Sequence, residues 1–292
     1  MINKLKIKSA IKIEKLESSV SPKDLKLFSN CIYNKHLESL TREVGYYTKL
    51  EWVLRHTQSA KKMMLSSLYF NQALFLYENK MKNLVFYAMY YSLFNAFLSN
   101  LYLVPFLTIN KLRLISHQQV IIEIENYFVR KKIYSDNILE LFSELKMWRE
   151  AYSYHLPLSG INHDFNNLIQ KLDENLPKIY QTSELLSYIT YYSWEKCVST
   201  VVDDYSENQG KCDDLFFSFV NIDSDNGKVF HFDENDYYGQ SFLMKHSDKP
   251  SPISWFISER LCEDLEDNWE GPENDNDFDI NKVARHIMNI IS

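Results

Sequence analysis

Glycine is scarce in this 292-residue chain: there are 6, and four of them, Gly210, Gly227, Gly239 and Gly271, lie beyond residue 200. The first 200 residues therefore offer few of the positions that tight turns and strand connections need, and no glycine-rich loop that could cradle phosphates. The four cysteines, Cys31, Cys197, Cys212 and Cys262, form no CxxC and no Cys/His ligand pair, which argues against a structural zinc and fits reduced thiols in a cytoplasmic protein. A serine nucleophile elbow and an HExxH helix are also missing. The N-terminus has no signal-peptide apolar core, so secretion is not expected. Finally, no charged residue stands between Lys82 and Lys111.

That charge-free run is long enough to raise the question of a membrane span. Its polar residues answer it. Ser92, Asn95, Ser99 and Tyr102 recur at helical spacing and fall on one stripe, which a lipid-facing helix has no use for. Tyr87, Tyr90 and Tyr91 sit in mid-segment, and Pro105 ends the helix early. A central helix of a soluble bundle, with no membrane role, is the expected structure.

What the chain does contain is a globular core: 45% hydrophobic residues, 24% charged and 15% aromatic, with 20 Tyr and 18 Phe. Charge is unevenly divided. Residues 1 to 200 hold 25 Lys/Arg and 18 Asp/Glu, a net +7, whereas residues 201 to 292 hold 7 and 21, a net −14. A mildly basic helical part can meet a polyanion, and an acidic appendage can repel one or bind a basic partner.

Three regions follow. Residues 1 to 36 combine a short basic strand, alternating through Leu5 and Ile7, with a helix opened by Ser21-Pro22. Residues 37 to 200 read as helices: about 37 to 77 with a break near His56, 81 to 103, 117 to 131, a stripe of Ile138, Leu141, Leu145, Trp148, Tyr152 and His155, and 164 to 197 with a kink or break at Pro177. Residues 201 to 292 are acidic. Their runs LFFSFVNID and KVFHFD, joined through Asn226-Gly227, predict a β-hairpin, followed by a terminal helix from about 280 to 291. The expected class is mainly α, an antiparallel helical bundle with a small α+β appendage. Two loose calcium-loop patterns, at Asp223, Asp225 and Glu234 and at Asp275, Asp277 and Asp279, lack the required glycine or the closing glutamate. No metal and no cofactor is expected.

Chemistry concentrates at Trp148-Arg149-Glu150-Ala151-Tyr152-Ser153-Tyr154-His155. Guanidinium neutralises phosphate oxygens and imidazole exchanges a proton near neutral pH. Arg149 has no carboxylate three or four residues away, so an intrahelical pair of that spacing does not account for it. His155 lies on the apolar stripe and is expected to be partly buried. Six positions along a regular helix turn the side chains by about 240°, so one helix does not bring the two together.

The stretches NLVFYAMYYSLFNAFLSNL, SHQQVIIEIENYFVRKK and LFSELKMWREAYSYH, in that order, resemble successive helices of the HEPN superfamily (higher eukaryotes and prokaryotes nucleotide-binding) over about residues 60 to 190. Many members are metal-independent endoribonucleases with an Arg-x(4–6)-His motif, which Arg149 and His155 match. The resemblance implies RNA as substrate and a homodimer with the site built across its two-fold axis. It also implies a bacterial toxin or antiviral role, with Arg149 and His155 as catalytic residues. Candidate RNA contacts are Lys146, Tyr152, Asn95 and the basic cluster Arg130, Lys131 and Lys132. The acidic region is a candidate surface for a regulatory protein partner. The segment equally resembles a non-nuclease branch of the superfamily, which implies a module that binds a protein or nucleotide partner.

Overall fold

The computed structural model describes residues 45 to 155 and 164 to 195. The strand and helix expected before residue 37, and the β-hairpin, calcium-loop patterns and terminal helix expected after residue 200, lie outside the described residues. Within them the secondary structure is helical, with no strand. The helices are α1 (Gly45–Glu78), α2 (Lys82–Tyr102), α3 (Ile109–Arg113), α4 (His117–Ile124), α5 (Asn137–Glu150) and α6 (Phe165–Glu195). Two π turns continue their helices, Glu125–Val129 after α4 and Ala151–His155 after α5.

α2 is the axis of the bundle, and α1, α4, α5 and α6 all pack against it. Side-chain pairing gives the directions. Ser66 pairs with Ser92 and Ser59 with Ser99, so α1 and α2 are antiparallel. Phe86 meets Phe165 while Asn100 meets Ile179, so α6 runs parallel to α2. Phe86 stacks with Trp148 and Phe97 lies against Phe142, which makes α5 antiparallel to α2. The turn between α1 and α2 needs only three residues because Lys80 takes φ 62°, a conformation that non-glycine residues seldom adopt.

Sixteen of the 21 residues of α2 are buried, including Ser92, Asn95, Ser99 and Tyr102. The expected polar stripe thus faces protein, and Ser92 and Ser99 sit at its contacts with α1 and α6. Ser66 Oγ donates to Ser92 O at 2.7 Å and Ser59 Oγ to Ser99 O at 2.6 Å. Ser99 Oγ meets Ser183 Oγ at 2.7 Å, and Tyr180 donates to Ser66 Oγ at 2.8 Å. Asn100 Nδ2 donates to Ile179 O at 2.9 Å and to Ser183 Oγ at 2.7 Å, while its Oδ1 accepts from the Tyr134 hydroxyl. Burial pushes the Tyr134 and Tyr180 hydroxyls well above the usual phenol range, so both are protonated donors. Among the described residues no helix is long and apolar enough to cross a membrane.

Arg55 is 1% exposed and ties α1 to the end of α2. Its guanidinium donates to Tyr102 O at 3.0 Å, Val104 O at 3.4 Å and Leu107 O at 2.5 Å. Those carbonyls belong to the last residue of α2 and the turn after it, where a helix leaves its acceptors without partners of its own. Pro105 follows α2 at the distance expected of a stop.

Two expected interruptions are absent. α1 runs unbroken through His56, which is wholly buried and lies edge-on to Trp52 at 6.1 Å. The apolar face continues on both sides of it through Trp52, Val53, Ala60 and Met63. α6 likewise continues through Pro177, where a kink or a break was expected, so the break does not occur. A mid-helix proline costs about 3 kcal/mol. Burying Leu172, Leu176, Ile179 and Tyr180 around it offsets that cost at about 1.5–3 kcal/mol per large apolar side chain. The helix α3 was not anticipated; it is short, and Thr108 caps it by accepting from Lys111 N at 3.2 Å.

Candidate functional site

The two residues of the Arg-x5-His segment diverge. Arg149, in the last turn of α5, turns inward: its side chain is 13% exposed and its guanidinium carbon lies 4.9 Å from the centre of the Tyr90 ring on α2. Arg149 also bridges to Glu150 Oε1 at 3.2 Å, a neighbour one position away and not at helical spacing. Its Nε is buried and has no hydrogen-bond partner among the described residues.

His155 ends the π turn Ala151–His155 and is exposed, contrary to the partial burial its place on the apolar stripe implied. The stripe ends sooner for a geometric reason. A π turn advances by less rotation per residue than an α-helix, so the 3–4 spacing that keeps Ile138, Leu141 and Leu145 inward no longer holds at residue 155. Trp148 and Tyr152 still reach the core, stacking on Phe86 at 5.9 and 5.2 Å. His155 lines an open groove between α4 and α5 with Gln118, Ile121, Lys146, Met147 and Glu150. Lys146, a predicted RNA contact, is therefore brought to the same groove as His155.

The other predicted contacts are scattered. Tyr152 is half-buried by its stack on Phe86. Asn95 is 4% exposed and donates to Tyr91 O within its own helix at 2.7 Å, so it presents no surface to a substrate in this arrangement. Arg130, Lys131 and Lys132 are exposed after the first π turn, and Arg130 pairs with Glu125 at 2.9 Å.

A residue that sequence reasoning set aside stands next to Arg149's surroundings. His117, the first residue of α4 behind the capping Ser116, has its Nδ1 2.5 Å from the Tyr90 hydroxyl. Its ring stacks on Phe94 at 4.3 Å and meets Tyr91 edge-on at 6.0 Å. Burial raises the Tyr90 pKa to about 12 against the opposing pull of Arg149, so the hydroxyl stays protonated and can donate to Nδ1. A neutral imidazole then carries its proton on Nε2. Burial also raises Tyr91, with Tyr87 adding to the effect and Arg149 opposing it. His117 itself is lowered below the usual imidazole range, first by burial, then by Arg149 and Lys146, with Glu150 opposing. No sequence periodicity reveals this cluster, because Tyr90 and His117 are 27 positions apart and meet only when α4 folds onto α2.

The lowered pKa has a consequence for stability. A histidine whose folded pKa lies below its unfolded value binds fewer protons folded than unfolded, so stability falls as pH drops from about 6.5 through the folded pKa. His117→Gln is expected to flatten that part of the profile, measured by urea unfolding between pH 7.5 and 5. An unchanged slope would show that His117 does not contribute.

Comparison of the chain with protein-family models, with curated proteins and with solved structures finds no match.

Proposed function

We propose that this chain is a metal-independent RNA endonuclease of the HEPN kind, serving in a bacterial toxin or antiviral system and acting as a homodimer. The observation that supports this reading best is the state of Arg149. It is a largely buried guanidinium held on the Tyr90 ring, with one weakly enclosed carboxylate partner and an unused Nε donor. A guanidinium so placed has hydrogen-bonding capacity left for a phosphate. Because His155 is exposed and Arg149 turns inward, the proton-transfer imidazole is supplied across a two-fold axis. Met147 and Tyr154, 52% and 71% exposed and seven positions apart on the same helical segment, give a second copy apolar surface to meet.

In the reaction, the 2′-hydroxyl oxygen of RNA attacks the adjacent phosphorus and loses its proton to a base. The bond from phosphorus to the 5′-oxygen breaks, and that oxygen takes up a proton. Products carry 2′,3′-cyclic phosphate and 5′-hydroxyl ends. His155 moves the proton and Arg149 stabilises the charge that builds on the phosphate. DNA, lacking the 2′-hydroxyl, stays intact. The test is incubation of the purified full chain with total RNA, with and without chelator, and mapping of cut ends. Cleavage that needs Mg²⁺ or leaves 5′-phosphates overturns the mechanism. Arg149→Lys is expected to impair cleavage strongly, since a point charge cannot reproduce the planar fork.

The divergence of Arg149 and His155 within one chain favours a second reading, a non-catalytic module of the same kind that binds a protein or nucleotide partner. Absence of cleavage of any RNA by a dimeric preparation would select it.

A further inference from the structure

We propose that Arg149, Lys146 and His117 form a phosphate-binding site within a single protomer, between α2, α4 and α5, with Tyr90 positioning the imidazole. This site shares Arg149 with the cleavage centre proposed above but requires neither cleavage nor His155.

The geometry brings the three cationic or potentially cationic side chains together from two helices. Arg149 and Lys146 are three positions apart on α5 and therefore share a face. Tyr90 links that face to α4: Arg149 lies over its ring at 4.9 Å and its hydroxyl holds His117 Nδ1 at 2.5 Å. Lys146 lines the groove whose other wall includes Gln118, the residue after His117. The charged and titratable groups facing His117 are thus Tyr90 and Tyr91 from α2 and Lys146, Arg149 and Glu150 from α5. Two cations against one carboxylate leave a net positive charge before His117 takes a proton. Burial first, and then that excess, depress the imidazole pKa, and an anion in the site would reverse the second of these effects.

Glu150 is the internal competitor. Its side chain is 43% exposed and it touches Arg149 at one contact of 3.2 Å, so it can swing into solvent when a phosphate arrives. Once Glu150 leaves, the terminal N–H groups of Arg149, whose side chain is 13% exposed, are donors for the incoming oxyanion. Tyr90, which carries the guanidinium on its ring and donates its hydroxyl to the imidazole, fixes the separation of the two groups.

The test follows the imidazole signals of the full-length chain by NMR, assigned with His117→Gln, as inorganic phosphate is added. Phosphate is expected to raise the His117 pKa. Arg149→Gln should weaken binding about tenfold or more, the scale of a charged hydrogen bond. Glu150→Gln should strengthen it about two- to fivefold, the scale of an exposed ion pair. Tyr90→Phe keeps the ring that packs on Arg149 and should mix the His117 tautomers, visible in the ring nitrogen shifts. A His117 signal that does not saturate with phosphate, or that moves as much with equimolar chloride, overturns the proposal. So does a response unchanged in both Arg149→Gln and Lys146→Gln. A short oligoribonucleotide titrated in parallel identifies the source: tighter binding than free phosphate assigns a phosphodiester chain, weaker binding a free phosphate group. Saturable phosphate binding in a protein that cuts no RNA would leave this site standing and remove the nuclease reading alone.

Discussion

His155→Ala is expected to slow RNA cleavage by on the order of 10²–10⁴, the usual contribution of a positioned acid or base. The loss should appear in the chemical step, measured under single-turnover conditions, with RNA affinity nearly unchanged, because His155 is exposed at the rim of the groove and not a principal phosphate ligand. If the composite arrangement across two copies is right, mixing His155→Ala with Arg149→Gln subunits restores part of the activity. One of the two sites in such a heterodimer keeps both functional groups. Undiminished cleavage by His155→Ala would remove this residue from the mechanism and turn attention to His117, which shares Tyr90 with Arg149. A strictly monomeric protein that still cuts RNA would sink the composite site.

Asn100→Ala is expected to destabilise the bundle by about 3 kcal/mol or more. Asn100 is fully buried and joins α2 to α6, through Ile179 O and Ser183 Oγ, and to the turn before α5, through the Tyr134 hydroxyl. The truncation removes three buried hydrogen bonds, each worth about 0.5–1.5 kcal/mol net, and opens a cavity as well. Denaturant unfolding of the two proteins measures the difference. A change under 1 kcal/mol would show that water or a shifted Tyr134 takes over the vacated bonds. Asn100→Asp should fare no better, since a carboxylate cannot donate to Ile179 O.

Much of the helical order was legible because the signals were local. The charge-free run with its polar stripe marked α2, Ser116 and the apolar positions after it marked α4, and the spacing from Ile138 to Tyr152 marked α5. The break expected at His56, and a break as one of the two outcomes expected at Pro177, do not occur because local propensity is outweighed by burial on either side. The site was legible only in part. Arg149 was singled out by the lack of a carboxylate at helical spacing. The adjacent Glu150, which pairs with it, does not show on a helical wheel as a neighbour. The exposure of His155 depends on a π turn, for which the sequence carries no periodic mark, since the 3–4 spacing of the stripe runs on unchanged to His155. His117 was passed over as the opening residue of a helix, which it is; its second role comes from a tertiary contact that no spacing predicts.

Arg55 and His117 hold the central helix in different ways. The guanidinium of Arg55 ties the end of α2 to α1 through backbone carbonyls, which any side chain at those positions would leave in place. The imidazole of His117 instead meets the middle of α2 through the Tyr90 hydroxyl and the Phe94 ring, so its hold depends on which side chains stand there and on its own protonation state. One contact survives substitution along α2 and the other does not, and the second is the one beside Arg149.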